Sequence, residues 1–196
     1  MLISHWILAL TIAYLLGSIP FAKLLADLNG VDLLKVGSAN LGMTNLWRSC
    51  GKGWGSFCLA LDVSKGWASC FLAGWILQQP LAVALAAAVA IFAHTFSIWV
   101  KFKGGKGVAT GLGVLLYLSP LTFAITFLFG AGLIMSTRIV SVGSLASAWL
   151  VPPLLLWQRE PRAYVAVTLV AAAYISWKHR SNVQRLLQGT ENKISW

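Results

Sequence analysis

Residues 80–107 read PLAVALAAAVAIFAHTFSIWVKFKGGKG, and the change of character at position 101 decides the class of this protein. Between Pro80 and Val100 there is no Asp, Glu, Lys or Arg. A helix of that length, rising about 1.5 Å per residue, crosses a hydrocarbon layer about 30 Å thick. The loop that follows, Phe102-Lys103-Gly104-Gly105-Lys106-Gly107, places three glycines and two ammonium groups at the edge of that layer. Glycines let backbone N–H groups turn toward an anion, and a helix starting at Gly107 aims its positive dipole end at the same place. The plainer reading is a basic loop that fixes orientation in the membrane. Orientation calls for lysine but leaves the glycines unexplained.

The rest of the chain has the same character. It is 58% hydrophobic with a mean hydropathy of +0.77 and 10% charged residues, more apolar surface than one soluble core of 196 residues can hide. Apolar stretches at 3–26, 54–77, 80–100, 107–119, 120–137, 139–157 and 162–177 predict an all-α, polytopic membrane bundle of seven helices in a single domain, 1–196. Ser119-Pro120 must act as the turn between the fourth and fifth. A long kinked helix there would give six helices and move the C-terminus to the other side. Segments 23–52, 101–106, 138 and 178–193 hold twelve of the fifteen Lys and Arg residues, whereas the opposite loops hold only Arg159 and Arg162. By the positive-inside rule the N-terminus is outside and the C-terminus cytoplasmic. The net charge of +10 is then a topological signal, not a nucleic-acid surface.

No basic region or small-residue cleavage pattern marks the first stretch as a signal peptide, so it is expected to remain as a helix. Cys58 and Cys70 lie about 18 Å apart along one predicted helix, too far to bridge, and neither the cysteines nor His5, His94 and His179 have metal-ligand spacing.

The polar residues gather in three places. The long connection from Asn29 to Gly53 contains Gly37-Ser38-Ala39-Asn40-Leu41-Gly42-Met43-Thr44-Asn45-Leu46-Trp47-Arg48, in which neutral donors lead to one guanidinium able to grip a phosphate in bidentate fashion. The same residues also suit an ordinary polar turn capping the next helix. Asp62 and Lys65, spaced i, i+3 inside a spanning segment, share a face; they can pair with each other, or Lys65 can reach the anion site. The tail Trp177 to Gly189 continues the last predicted helix beyond the bilayer, with His179, Asn182 and Leu186 on one face and Gly189 as its stop. Such a basic helix either binds headgroups or carries a site.

The segments Gly17 to Ala22, Gly37 to Arg48, Asp62 to Gly66, His94 with Phe96 and then Phe102 to Thr110, and His179 to Lys193 resemble, in order, the motifs of the PlsY family, bacterial membrane glycerol-3-phosphate acyltransferases that use acyl phosphate. Departures are Ala39 and Ala93 where glycine is common, Leu41 and Met43 for smaller or turn-forming residues, and Ser97 for a usual proline. The resemblance implies seven helices in the bacterial cell inner membrane with the active site facing the cytoplasm. It also implies transfer of an acyl group from acyl phosphate to glycerol 3-phosphate by a protein that works as a monomer, without metal or cofactor.

Two anions must then be held side by side while charge develops on a carbonyl oxygen, which calls for cations and positioned donors. Arg48, Lys106 and the Gly104-Gly105 backbone are expected to hold phosphates, with Ser38, Thr44, Asn45 and Asn182 orienting them. His179 adds a donor or base, and Gly37, Asn40, Lys65 and Ser144 complete the expected substrate contacts. Asp27, Asp32 and Glu191, the carboxylates of the cytoplasmic segments, lie outside the motifs that gather cations, so no conventional carboxylate base is evident.

Other chemistries fail on spacing. No histidine is followed five residues later by Asp, no Gly-x-Ser-x-Gly elbow occurs, and Lys106 precedes Gly107 where a P-loop needs Ser or Thr. The competing class is a membrane transporter of phosphate or an organic phosphate, which would place its site near the midplane and show two related halves.

Overall fold

A computed structural model of the chain describes residues 2–194, and among them every regular element is helical. The chain divides into two compact units, Met1–Tyr117 and Leu118–Trp196.

The first unit holds α1 (Ile3–Ser18), α2 (Phe21–Leu28), α3 (Met43–Cys50), α4 (Lys52–Leu77), α5 (Pro80–Thr95), a 3₁₀ turn (Ile98–Val100) and α6 (from Val108). The stretch expected to be one helix over 3–26 is broken at Ile19-Pro20. Proline lacks the N–H for the helical ladder and holds its predecessor extended, at φ −57°, ψ 119°. Ile3–Leu28 is nonetheless one of four stretches among the described residues long and apolar enough to cross a membrane, with Pro80–Val100, Pro120–Thr137 and Val140–Trp157.

Lipid tails are as apolar as leucine, so helices in a bilayer associate through close packing. Here backbone meets backbone. A Cβ on Gly17 would stand 2.6 Å from the Ala90 carbonyl oxygen, and buried Ala9 and Ala13 continue that seam of α1 toward Ala82 and Ala86 of α5. A Cβ on Gly66 would meet the Thr110 carbonyl at 2.1 Å, and one on Gly113 the Val63 carbonyl at 1.8 Å, so α4 and α6 lie equally close.

The second unit holds α7 (Pro120–Thr137), α8 (Val140–Trp157), α9 (Arg162–Lys178) and α10 (Arg180–Leu187). Ser119 caps α7 by accepting the Thr122 N–H at 3.2 Å, with Pro120 at the first helical position; residues 107–137 are thus two helices joined at a turn. Gly130 and Gly143 bring α7 against α8, and Ser147 donates to the Thr126 carbonyl at 3.0 Å. The expected continuous last helix is interrupted at His179, whose N–H is shared between the carbonyls of Ile175 and Ser176. After α10, Gly189 at φ +69° reverses the chain, and the Ile194 N–H reaches the Arg138 carbonyl at 2.7 Å.

Candidate functional site

The loop before α3 is organised by one amide. Asn45, 1% exposed, accepts the Ser38 N–H at 3.0 Å and donates to the carbonyls of Leu33, Val36 and Asn40 at 3.0, 3.1 and 3.2 Å. Buried Leu33, Leu41 and Leu46 belong to one apolar cluster with Leu25 and Cys58. Gly37 has φ +56°, and a Cβ there would stand 2.2 Å from Asn45 Oδ1, so both its backbone and its bareness are required. The sequence placed Asn45 among substrate contacts; its amide instead ties four backbone groups of the loop. Ser38, Asn40, Thr44 and Arg48 are all partly buried, with Thr44 on α3 and Arg48 in its last turn.

The glycine loop differs from expectation in a specific way. The Gly104 N–H donates to the Thr95 carbonyl at 2.8 Å and the Gly105 N–H to the His94 carbonyl at 3.2 Å. The two backbone donors expected to face an anion are therefore engaged by the end of α5. What these glycines supply is close approach. A Cβ on Gly104 would lie 2.0 Å from the His94 carbonyl, and one on Gly105 2.3 Å from His94 Nε2. Lys106 follows directly, partly buried, and Gly107 at φ +86° leads into α6.

Beneath this loop lies the buried charge pair. Lys65 Nζ stands 2.7 Å from Asp62 Oδ1 and donates to the Ile19 carbonyl at 2.8 Å, with both side chains almost fully enclosed. The Lys65 ammonium is thus turned onto Asp62 and the break between α1 and α2. His94 Nδ1 is 3.6 Å from the same Asp62 oxygen. A buried carboxylate between two basic groups is tolerable in a membrane where an isolated one is not.

The tail of the second unit forms a knot around Glu191. Its carboxylate accepts from Asn182 Nδ2 at 2.5 Å, Ser141 Oγ at 3.0 Å and Arg185 Nε at 2.7 Å. Burial alone would raise the pKa of this carboxyl, but the hydrogen bonds from Asn182, Arg185 and Ser141 and the Arg185 charge outweigh it and hold the pKa below the usual carboxylate range. Glu191 thus belongs with the cation-bearing tail, which corrects its placement outside those motifs. His179 is buried with Nδ1 2.8 Å from the Ile175 carbonyl, which can only accept, so Nδ1 carries a proton. Ser144 is buried on α8 beside Gly143.

His94 and Glu191 are the residues that sequence reasoning passed over. Each left a signal. His94 is the one ionisable side chain between Pro80 and Val100, and a charge pair in a neighbouring span calls for such a partner. Glu191 stands two residues after a glycine suited to reversing the chain.

A family model for glycerol-3-phosphate acyltransferase matches residues 7–189. The glycerol-3-phosphate acyltransferase of Desulforamulus reducens is 42% identical over 184 residues, 93% of this chain and 92% of its own. Glycerol-3-phosphate acyltransferase 2 of Moorella thermoacetica is 42% identical over 190 residues, 96% of this chain and 97% of its own. The crystal structure of PlsY (YgiH), an integral membrane glycerol 3-phosphate acyltransferase, in its glycerol 3-phosphate form superposes with a TM-score of 0.93 at 34% identity, covering 97% of this chain and 96% of that one. Its lysophosphatidic acid form gives 0.91 at 33%. Motifs, helices and whole-length likeness agree, and the chain belongs to the glycerol-3-phosphate acyltransferase family of integral membrane proteins.

Proposed function

We propose that the chain transfers a fatty acyl group from acyl phosphate to the sn-1 hydroxyl of glycerol 3-phosphate, giving lysophosphatidic acid and inorganic phosphate as a first step of membrane phospholipid synthesis. The observation that carries this reading is the fold shared with PlsY in its glycerol 3-phosphate form. In this reading α1 with α2, then α4 to α9 excluding no helix between them, make seven spans. The N-terminus is outside and the site faces the cytoplasm, a topology supported by the twelve-to-two distribution of basic residues. The whole of 1–196 acts as one acyltransferase domain in the inner membrane, as a monomer.

Arg48 and Lys106 are the phosphate-holding cations. Arg48 stands on a helix whose approach is fixed by Asn45, and Lys106 follows glycines seated on α5. Ser38, Asn40, Thr44 and Asn182 orient phosphates by hydrogen bonds, with Asn182 held by Glu191. Gly37, Asn45, Gly104, Gly105 and Lys65 serve by shaping the backbone that presents those groups, and Ser144 offers a hydroxyl near the cytoplasmic end of α8. The glycerol hydroxyl attacks the acyl carbonyl carbon, the bond to the phosphate oxygen breaks, and the hydroxyl proton passes to a phosphate oxygen. No acyl-enzyme forms. Protein donors stabilise the oxyanion. His179, with its Nδ1–H donated to the Ile175 carbonyl, meets a phosphate oxygen through Nε2, which donates there as the imidazolium.

Purified protein in detergent, given acyl phosphate and glycerol 3-phosphate, is expected to release lysophosphatidic acid and phosphate in equal amounts. Arg48→Ala and Lys106→Ala are each expected to lower kcat/KM about a hundredfold or more, the size of two charge-assisted hydrogen bonds, with the protein still folded. Folded protein that forms no product, while moving phosphate across vesicles, would instead identify a transporter.

A further inference from the structure

The proposed activity gives no task to Asp62 and His94, and to Lys65, which is buried with them, only that of shaping the backbone. Asp62 and Lys65 form an ion pair at 2.7 Å, and well-packed apolar residues commonly serve as well in such positions. What distinguishes His94 is that it is engaged on three sides. Its Nδ1 lies 3.6 Å from Asp62 Oδ1, and its carbonyl accepts the Gly105 N–H at 3.2 Å. Its Nε2 occupies the place into which a Gly105 Cβ would project, at 2.3 Å. The neighbouring Thr95 carbonyl takes the Gly104 N–H. The imidazole is thus wedged between a fixed carboxylate on α4 and the residue immediately before Lys106.

We propose that His94, oriented by Asp62, is a positioning residue for catalysis: it forms the seat on which Gly104 and Gly105 rest and so sets where the Lys106 ammonium meets the phosphate of glycerol 3-phosphate. Lys65 completes the seat by holding Asp62 against the Ile19 carbonyl. Gly105 is bare because the ring occupies the space of a side chain. The proposal rests on Lys106 being an anion contact.

The test is a mutant cycle read by KM for glycerol 3-phosphate, kcat and the thermal midpoint in detergent. Gly105→Ala forces a methyl against His94 Nε2 and, at 3.0 Å, the Leu41 carbonyl, and is expected to raise KM about tenfold, the equivalent of one good hydrogen bond misplaced. His94→Asn keeps a side-chain N–H where Nδ1 stands and removes the outer ring atoms. It is expected to raise KM about threefold, with kcat within about twofold, as for a change in uniform binding. Combined with Gly105→Ala it is expected to bring KM back to within about threefold of the parent, because the closest clash, with the ring, is gone and only the 3.0 Å approach to the Leu41 carbonyl is left to relax. Additive or worse losses in the double variant overturn the seat.

Where Gly105→Ala does not yield folded protein, Asp62→Asn with His94→Asn replaces it. The pair acting as one unit is expected to raise KM no further than the larger single effect, and independent multiplication overturns the proposal. Lys106→Ala separates the two readings. Its loss of activity without rescue in the cycle sinks the seat alone, whereas a fully active Lys106→Ala sinks the role of Lys106 and, with it, the placement that the seat is proposed to set.

Discussion

The loop of residues 29–42 and the tail of residues 179–194 both hold polar groups where helices end, and they are held by opposite means. In the loop a neutral amide, Asn45, gathers a backbone N–H and three carbonyls, all of them uncharged backbone groups. In the tail a carboxylate, Glu191, gathers an amide, a hydroxyl and a guanidinium. A neutral tie does not change with pH or salt and fails only when its shape is lost. A charged tie is stronger per bond but depends on ionisation. The difference teaches where each region is vulnerable: the loop to a change of shape, the tail to a change of charge.

The largest effect is expected from breaking the neutral tie. Asn45→Ala leaves the Ser38 N–H and the carbonyls of Leu33, Val36 and Asn40 without their partner in a buried setting, for a loss of about 3 kcal/mol. Thermal unfolding in detergent measures it, and activity should fall with it because Arg48 is carried on the same helix. A loss smaller than that of Glu191→Gln would invert the comparison and show that the loop is held chiefly by its leucines.

These two ties were unequally legible in the sequence. Apolar length placed the helices, and proline placed one of their ends, at Ser119-Pro120, whereas Pro20 falls inside the single helix expected over 3–26 and in fact breaks it. The break at His179 has no such mark, since Lys178, Arg180 and Ser181 are all compatible with a helix and the interruption is a tertiary result. Gly104 and Gly105 declare that a Cβ is excluded, but a sequence cannot say whether the excluding neighbour is a ligand or the chain's own backbone; here it is His94 and Thr95. Asn45 reads equally as ligand contact or turn former, and only the positions of four backbone groups decide. Glu191 is nine residues from Asn182 in sequence and joins it because Gly189 reverses the chain.

A smaller effect is expected from removing the charge of the tail. Glu191→Gln keeps the size and one acceptor for Asn182 and Ser141 but loses the ion pair with Arg185, whose side chain is 33% exposed and so partly screened; the cost is about 1–2 kcal/mol. The pH dependence has a definite sign. The carboxyl of Glu191 is held below the usual range in the folded protein, so its contribution is complete at neutral pH, above the ordinary value of about 4.3, and is lost as pH falls through the folded value. Thermal midpoints between neutral and acid pH should therefore fall less in Glu191→Gln than in the parent. Parallel acid profiles for the two would show that the tail does not depend on ionisation.

The smallest effect separates conformation from contact within the loop itself. Gly37 and Ala39 both have positive φ, +56° and +50°, on either side of Ser38. Gly37 is suited to that backbone, whereas Ala39 adopts it against the clash of its Cβ, at about 1 kcal/mol. Ala39→Gly removes the clash but frees the unfolded chain, which costs about 0.4–1 kcal/mol in return. The net change should be close to zero, at most about 0.5 kcal/mol in favour of the variant. Gly37→Ala should go strongly the other way, because its new methyl adds contact with Asn45 Oδ1, at 2.2 Å, to the backbone strain. The two substitutions change φ preference alike in kind but differ in what the Cβ meets. If Ala39→Gly destabilised the protein by 1 kcal/mol or more, the left-handed turn would cost alanine nothing here, and the damage from Gly37→Ala would have to be assigned to Asn45 alone.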